Sequence, residues 1–271
     1  MPDFLEEMAD ESSRRAGLAR ARSADLEMRA KQSPPPVVLD LSAHGFDVIA
    51  EVKVASPSEG NLVSGMPDSA TLVSLAAAYN QGGAAAISVL TETTSFQGSM
   101  ADLEAVSAAS ALPVMRKDFL VDPIQVLEAR AGGASGVLFI ARMLPGELLE
   151  EMTDLTLDFG MFVLVEVFDR SDLESAARVF DREVLVGVNA RDLSSLEVDL
   201  SRFESLAPHL PDHLPAVAES GLSTGDDVAT VAGLGYRMAL VGSSLVRSTD
   251  PASTLEVILG AGRARLEEEA S

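Results

Sequence analysis

The chain of 271 residues contains no cysteine. Disulfides, thiolate nucleophiles and cysteine-ligated metals are therefore excluded. Long apolar runs are missing as well. None approaches the ~20 residues needed to cross a bilayer, and Met1 to Arg15 is acidic and then polar, with no apolar stretch of signal length. A soluble cytoplasmic protein with no membrane partner is expected. Positive charge is scarce: 20 Lys and Arg face 42 Asp and Glu, a formal net charge of -22. Nucleic-acid binding needs a positive surface and is disfavoured. An anionic substrate gains nothing from long-range attraction, so local cations must bind it. Lysine is the rarest cation, present only as Lys31, Lys53 and Lys117.

Hydrophobic residues make up 47% of the chain. That is ample for one large core, and a single barrel of about 250 residues fits as well as two ordinary domains. Eight short apolar runs stand out: Val48 to Val52, Ala86 to Leu90, Pro113 to Met115, Val137 to Ile140, Met161 to Val165, Val184 to Val188, Pro215 to Ala218 and Met238 to Val241. Such runs of Val, Ile, Leu and Ala read as strands buried on both faces. Helical patterns lie between them, at Asp68 to Tyr79, Ser99 to Ser110, after Asp122-Pro123 to about Ala131, Leu144 to Phe159, Ser171 to Phe180, Leu200 to Ala207 and Thr224 to Ala232. A last helix opens at Asp250-Pro251 and runs to about Glu268. Met1 to Lys31 also reads as a helix, stopped by Ser33-Pro34-Pro35-Pro36. Nearly eight β-loop-α units imply an α/β fold, a closed (β/α)8 TIM barrel over residues 47–271 with an N-terminal helical extension over residues 1–46. An open doubly wound sheet is the alternative.

In such a barrel the strand C-termini form the active face. Here those ends carry Glu51, Lys53, Glu92, Lys117, Glu166, Asn189 and Glu219. A charge at the end of a buried strand is poorly solvated and demands a partner. Two of the three lysines sit at such ends. They either pair with carboxylates structurally or serve as general acids, because buried lysines shift pKa readily. A glutamate in that setting can act as the partner acid or base. Glu51 and Lys53 are two apart and share a face, and Lys117 can face inward while Arg116 and Asp118 do not. Ser220-Gly221 and Gly242-Ser243, after the seventh and eighth strands, suggest a phosphate cradle.

These blocks together resemble the indole-3-glycerol phosphate synthase family of tryptophan biosynthesis. The resemblance rests on Ile49-Ala50-Glu51-Val52-Lys53 with Ala55-Ser56-Pro57-Ser58, Ser88 to Glu92 with Phe96-Gln97-Gly98-Ser99, and Arg116-Lys117-Asp118-Phe119 with Asp122-Pro123. It continues through Leu164-Val165-Glu166-Val167, Gly187-Val188-Asn189 with Arg191-Asp192-Leu193, Glu197 to Leu200, Glu219-Ser220-Gly221 and Leu240-Val241-Gly242. It implies closure, decarboxylation and dehydration of 1-(2-carboxyphenylamino)-1-deoxyribulose 5-phosphate, with no metal and no organic cofactor. By motif, Lys117 resembles the general acid, Glu166 the carboxylate that assists dehydration, and Lys53 the second cation. Glu51, Asn189 and Glu219 resemble the groups that orient the lysines and bind hydroxyls. Ser56, Arg191, Ser220, Gly221, Gly242 and Ser243 resemble phosphate contacts, and Pro57, Phe96 and Phe119 would flank the anthranilate ring. The partner implied is a phosphorylated small molecule. The resemblance admits a monomer, and it admits other tryptophan-pathway enzymes as macromolecular partners.

The chain departs from the family pattern at Val54 and Glu59, where basic residues are common, at Ala190, and at Thr93-Thr94-Ser95. Each departure removes positive or polar contact near the mouth. Other readings are a paralogue acting on a related phosphosugar, the neighbouring phosphoribosylanthranilate isomerase, whose usual Cys base is absent here, and a non-catalytic subunit that binds phosphorylated ligands.

Overall fold

Eight parallel strands close on themselves in a computed structural model, which describes residues 4–42, 45–62, 69–193 and 195–269. The strands are β1 (Asp47–Val52), β2 (Ala86–Leu90), β3 (Val114–Lys117), β4 (Gly136–Ile140), β5 (Phe162–Val167), β6 (Leu185–Asn189), β7 (Ala216–Glu219) and β8 (Met238–Val241). Each pairs with its sequence neighbour, and β8 closes onto β1 with Ile49 opposite Leu240. The alternation of strand and helix predicts this closed barrel, and the open sheet is excluded. Helices α3 (Ser69–Gln81), α4 (Met100–Ala109), α5 (Pro123–Ala131), α6 (Gly146–Asp158), α7 (Arg170–Ala176), α8 (Ser201–Leu206), α9 (Gly225–Gly233), α10 (Ser243–Arg247) and α11 (Pro251–Glu269) cover the outside. The expected start of α3 at Asp68 lies outside the described residues.

Side chains alternate across each strand. Val48, Ala50, Val52, Ile87, Val89, Val163 and Val165 face the helices in the larger core. Ile49, Ala86, Met115, Leu138, Leu164, Leu185, Val217 and Met238 fill the lumen. Both faces are dry, which is why the strands read as continuous apolar runs.

The N-terminal segment is two helices, α1 (Phe4–Arg20) and α2 (Ser23–Gln32), where the sequence predicts one. The break lets both helices follow α5. Arg15 forks onto Asp118 with two bonds of 2.7 Å, Arg20 pairs with Asp122, and Arg29 reaches Glu104. Leu26 and Ala19 pack on Ile124. A short helix start behind Gly242-Ser243 is present as the five-residue α10, and a two-residue ribbon pairing Ala55–Ser56 with Gly60–Asn61 carries no sequence signal.

Candidate active site

The period of two that fills the lumen also lifts the polar residues above it. One step up the inward face from Ile49 is Glu51; from Met115, Lys117; from Leu164, Glu166; from Val217, Glu219; and two steps above Leu185 is Asn189. All five sit at the C-terminal end of their strands, over a floor that excludes water. Lys117 Nζ lies 3.3 Å from a Glu166 carboxylate oxygen and 3.8 Å from Glu219. Asn189 donates its side-chain amide to the other Glu166 oxygen at 3.1 Å. Lys53 Nζ lies 2.9 Å from Glu51.

Glycine makes room for this cluster. A Cβ at Gly187 would come within 2.0 Å of Glu219 Oε1, and one at Gly242 within 2.4 Å of Glu51 Oε1. The two carboxylates close over bare backbone that no side chain can share.

The electrostatics define the protons. Burial alone would discharge Lys117, but the surrounding Glu166, Glu219 and Glu51 outweigh it and hold the ammonium form above the usual lysine range. Glu219 is pushed well above the carboxylate range by burial and by the nearby Glu166 charge. Neither of its oxygens has a hydrogen-bond partner. The site thus holds a buried ammonium beside the carboxyl groups of Glu166 and Glu219, all aimed into one cavity.

Every residue proposed from the sequence lines that cavity: Glu51, Lys53, Ser56, Pro57, Phe96, Lys117, Phe119, Glu166, Asn189, Arg191, Glu219, Ser220, Gly221, Gly242 and Ser243. Phe96 and Phe119 stand 6.1 Å apart at one wall. Ser220 and Gly221 both have positive φ, 70° and 78°. Arg191 is fixed by its backbone amide, which donates to Asn189 Oδ1 at 2.9 Å, and by its guanidinium, which donates to the Leu196 carbonyl at 2.8 Å. Glu92, also at a strand end, does not line the cavity. Its carboxylate accepts the amides of Thr94, Ser95 and Phe96 at 2.7 to 2.9 Å and shapes the loop that presents Phe96.

Sequence reasoning missed Phe4, whose ring meets Phe119 edge-on at 5.9 Å and lines the cavity from α1. It also missed the apolar rim from Leu193 and Leu196. Phe4 carries no local signal, because packing of α1 on the barrel brings it to the mouth, whereas Leu193 and Leu196 belong to the loop after β6, on the active face of such a barrel. Arg116 and Asp118 point away from the lumen, as alternation requires. Arg116 is fully buried and contacts Asp118 at 3.2 Å and Glu128 at 3.0 Å. Among the described residues no group of three or more His, Cys, Asp or Glu is placed to hold a metal ion.

The sequence profile described as "Indole-3-glycerol phosphate synthase" matches residues 5–258. A protein of that name from Leifsonia xyli subsp. xyli is 47% identical over 256 residues, covering 93% of this chain and 95% of its own. One from Mycolicibacterium smegmatis is 46% identical over 241 residues, covering 88% of this chain and 86% of its own. Among solved structures, thiamine phosphate pyrophosphorylase from Pyrococcus furiosus superposes with a TM-score of 0.56 at 16% identity, covering 84% of this chain and 98% of that one. That likeness speaks for the barrel alone. With a profile spanning nearly its whole length and relatives close to half identical, the chain belongs to the indole-3-glycerol phosphate synthase family.

Proposed function

We propose that the protein converts 1-(2-carboxyphenylamino)-1-deoxyribulose 5-phosphate to indole-3-glycerol phosphate, carbon dioxide and water, with the residues of this cavity in the following roles. The observation that carries the assignment of roles is Lys117, held as an ammonium between Glu166 and Glu219 at the mouth of a barrel of this family. The aromatic carbon bearing the carboxylate attacks the sugar ketone. A C–C bond forms, and negative charge develops on the ketone oxygen. Lys117 donates its proton there, a preorganised cation in a poorly hydrated site. The bond to the carboxyl carbon then breaks, carbon dioxide leaves, and the ring recovers aromaticity. The new hydroxyl then takes up a proton and departs as water, while the adjacent sugar carbon loses a proton and the ring double bond forms; Glu166 carries the proton, and Asn189 keeps that carboxylate oriented.

Lys53, anchored by Glu51, faces the substrate's anionic groups. The phosphate lies against Ser56, Arg191, Ser220, Gly221, Gly242 and Ser243. Pro57, Phe96 and Phe119 shape the apolar wall that folds the substrate into its reactive pose, an orientation effect. The N-terminal extension, residues 1–46, and the barrel, residues 47–271, act as one unit, since α1 contributes Phe4 to the wall. A non-catalytic binding subunit is not favoured, because the whole chain matches a family of enzymes.

The test is direct. Purified protein mixed with the substrate in metal-free buffer should generate indole fluorescence, unchanged by chelator. Absence of product, with the fold intact by circular dichroism, would reject the assignment.

A further inference from the structure

The phosphate side of the cavity already contains an anion. Glu59 follows the turn Pro57-Ser58 of the short ribbon, in the loop after β1, and its carboxylate reaches over to α10, just after the neighbouring strand β8. It accepts the Ser243 hydroxyl, lies 3.3 Å from the Arg247 guanidinium, and stands 3.5 Å from the Ser56 hydroxyl. Burial raises the Glu59 pKa, but the Ser243 bond and the charges of Lys53, Arg247 and Arg191 outweigh it and hold the carboxyl below its usual range. The group is ionised at neutral pH and is placed where a phosphate would use the same hydroxyl and the same cations.

We infer that Glu59 is an internal competitor for the phosphate: its carboxylate fills the subsite in the free protein, and a phosphorylated ligand must displace it. This rests on the phosphate subsite named above and adds a determinant of affinity to it. A phosphate carries nearly two negative charges at neutral pH. Set beside a retained carboxylate it would bring nearly three negative charges against Lys53, Arg191 and Arg247, of which Lys53 is already paired with Glu51, in a partly buried site where like charges repel strongly. The ribbon is held by only two residue pairs, Ala55 with Asn61 and Ser56 with Gly60. Gly60, at φ +67°, gives its turn the backbone freedom to swing the carboxylate outward. Residue 59 therefore sets how tightly phosphorylated molecules bind, without touching the reacting carbon atoms.

The experiment is titration of inorganic phosphate into the wild type and Glu59→Gln by calorimetry, beside steady-state kinetics on both. Glutamine keeps the size and the hydrogen bond while removing the charge. The phosphate Kd should fall by at least about tenfold, the scale of relieving one close like-charge contact, and KM should fall by more than kcat moves. An unchanged or weaker phosphate Kd in Glu59→Gln would overturn the inference. Glu59→Ala takes its place if the glutamine variant does not fold. Tighter phosphate binding without any turnover by either protein would sink the synthase assignment and leave this one standing. Turnover without tighter phosphate binding would do the reverse.

Discussion

Lys117 sits among three glutamates yet has only Glu166 within 3.5 Å, leaving the ammonium room to turn toward a substrate oxygen. Its proton is held firmly in the resting site, and in the proposed reaction it leaves only when negative charge builds on the ketone oxygen. Lys117→Ala should lower kcat by at least ~10²-fold, the lower range for loss of a general acid, in the fluorescence assay. Turnover close to wild type in that variant would remove Lys117 from its role. Gly187 is the matching steric prediction. Its Cβ would collide with Glu219 Oε1, and the Leu164 side chain lies 3.1 Å away on another side. Gly187→Ala should cost about 1–3 kcal/mol in a urea melt, the range for overpacking a filled interior. It should also lower kcat, because Glu219 must move away from Lys117.

At the scale of elements, α1 is latched to the loop after β3 by the Arg15 to Asp118 fork. Asp118 also meets Arg116 and accepts the Thr91 hydroxyl at 2.7 Å. Burial pushes its carboxyl up, but Arg15 and Arg116 outweigh that and hold it down to about 2. A carboxyl depressed on folding contributes stability that is present above its unfolded value near 3.8 and is lost as pH falls toward 2. Arg15→Ala should therefore cost about 1–3 kcal/mol at pH 7, the usual penalty for stripping a partner from a buried acceptor. The gap from wild type should close between pH 4 and about 2, where both proteins lose the charge at residue 118. Melts at pH 7, 4 and 2.5 check this, and a gap independent of pH would disprove the latch.

The same elements show what was legible in the sequence. The strands were readable because burial on both faces leaves a continuous run of Val, Ile and Leu. Glu51, Lys117, Glu166 and Glu219 were readable because each interrupts such a run at its end. The place of Phe4 and the ribbon around Glu59 were not. Their positions follow from contacts across the barrel mouth, and three to five residues are too few to show a period. The split of the N-terminal segment into α1 and α2 was hidden for a related reason. It is set by the path of α5, which lies about a hundred residues away in sequence.

Over the whole molecule, 42 carboxylates against 20 basic side chains create self-repulsion that the fold must bear. Exposed charges feel one another over about 30 Å at 0.01 M salt and about 3 Å at 1 M. Added sodium chloride should therefore raise Tm, by about 2–4 °C for each kcal/mol of repulsion relieved in a domain of this size. A flat or falling Tm between those limits would show that the surface acids are already compensated locally.

The stagger of apolar and ionic layers along the lumen has an engineering consequence. Leu185, Val217 and Met238 form a lower storey that lines no part of the cavity. Exchanges there that conserve volume alter stability by less than about 1.5 kcal/mol, and they leave every reacting group where it stands. Thermal endurance and turnover are consequently separate dials in this molecule, one set below the carboxylates and the other set by them.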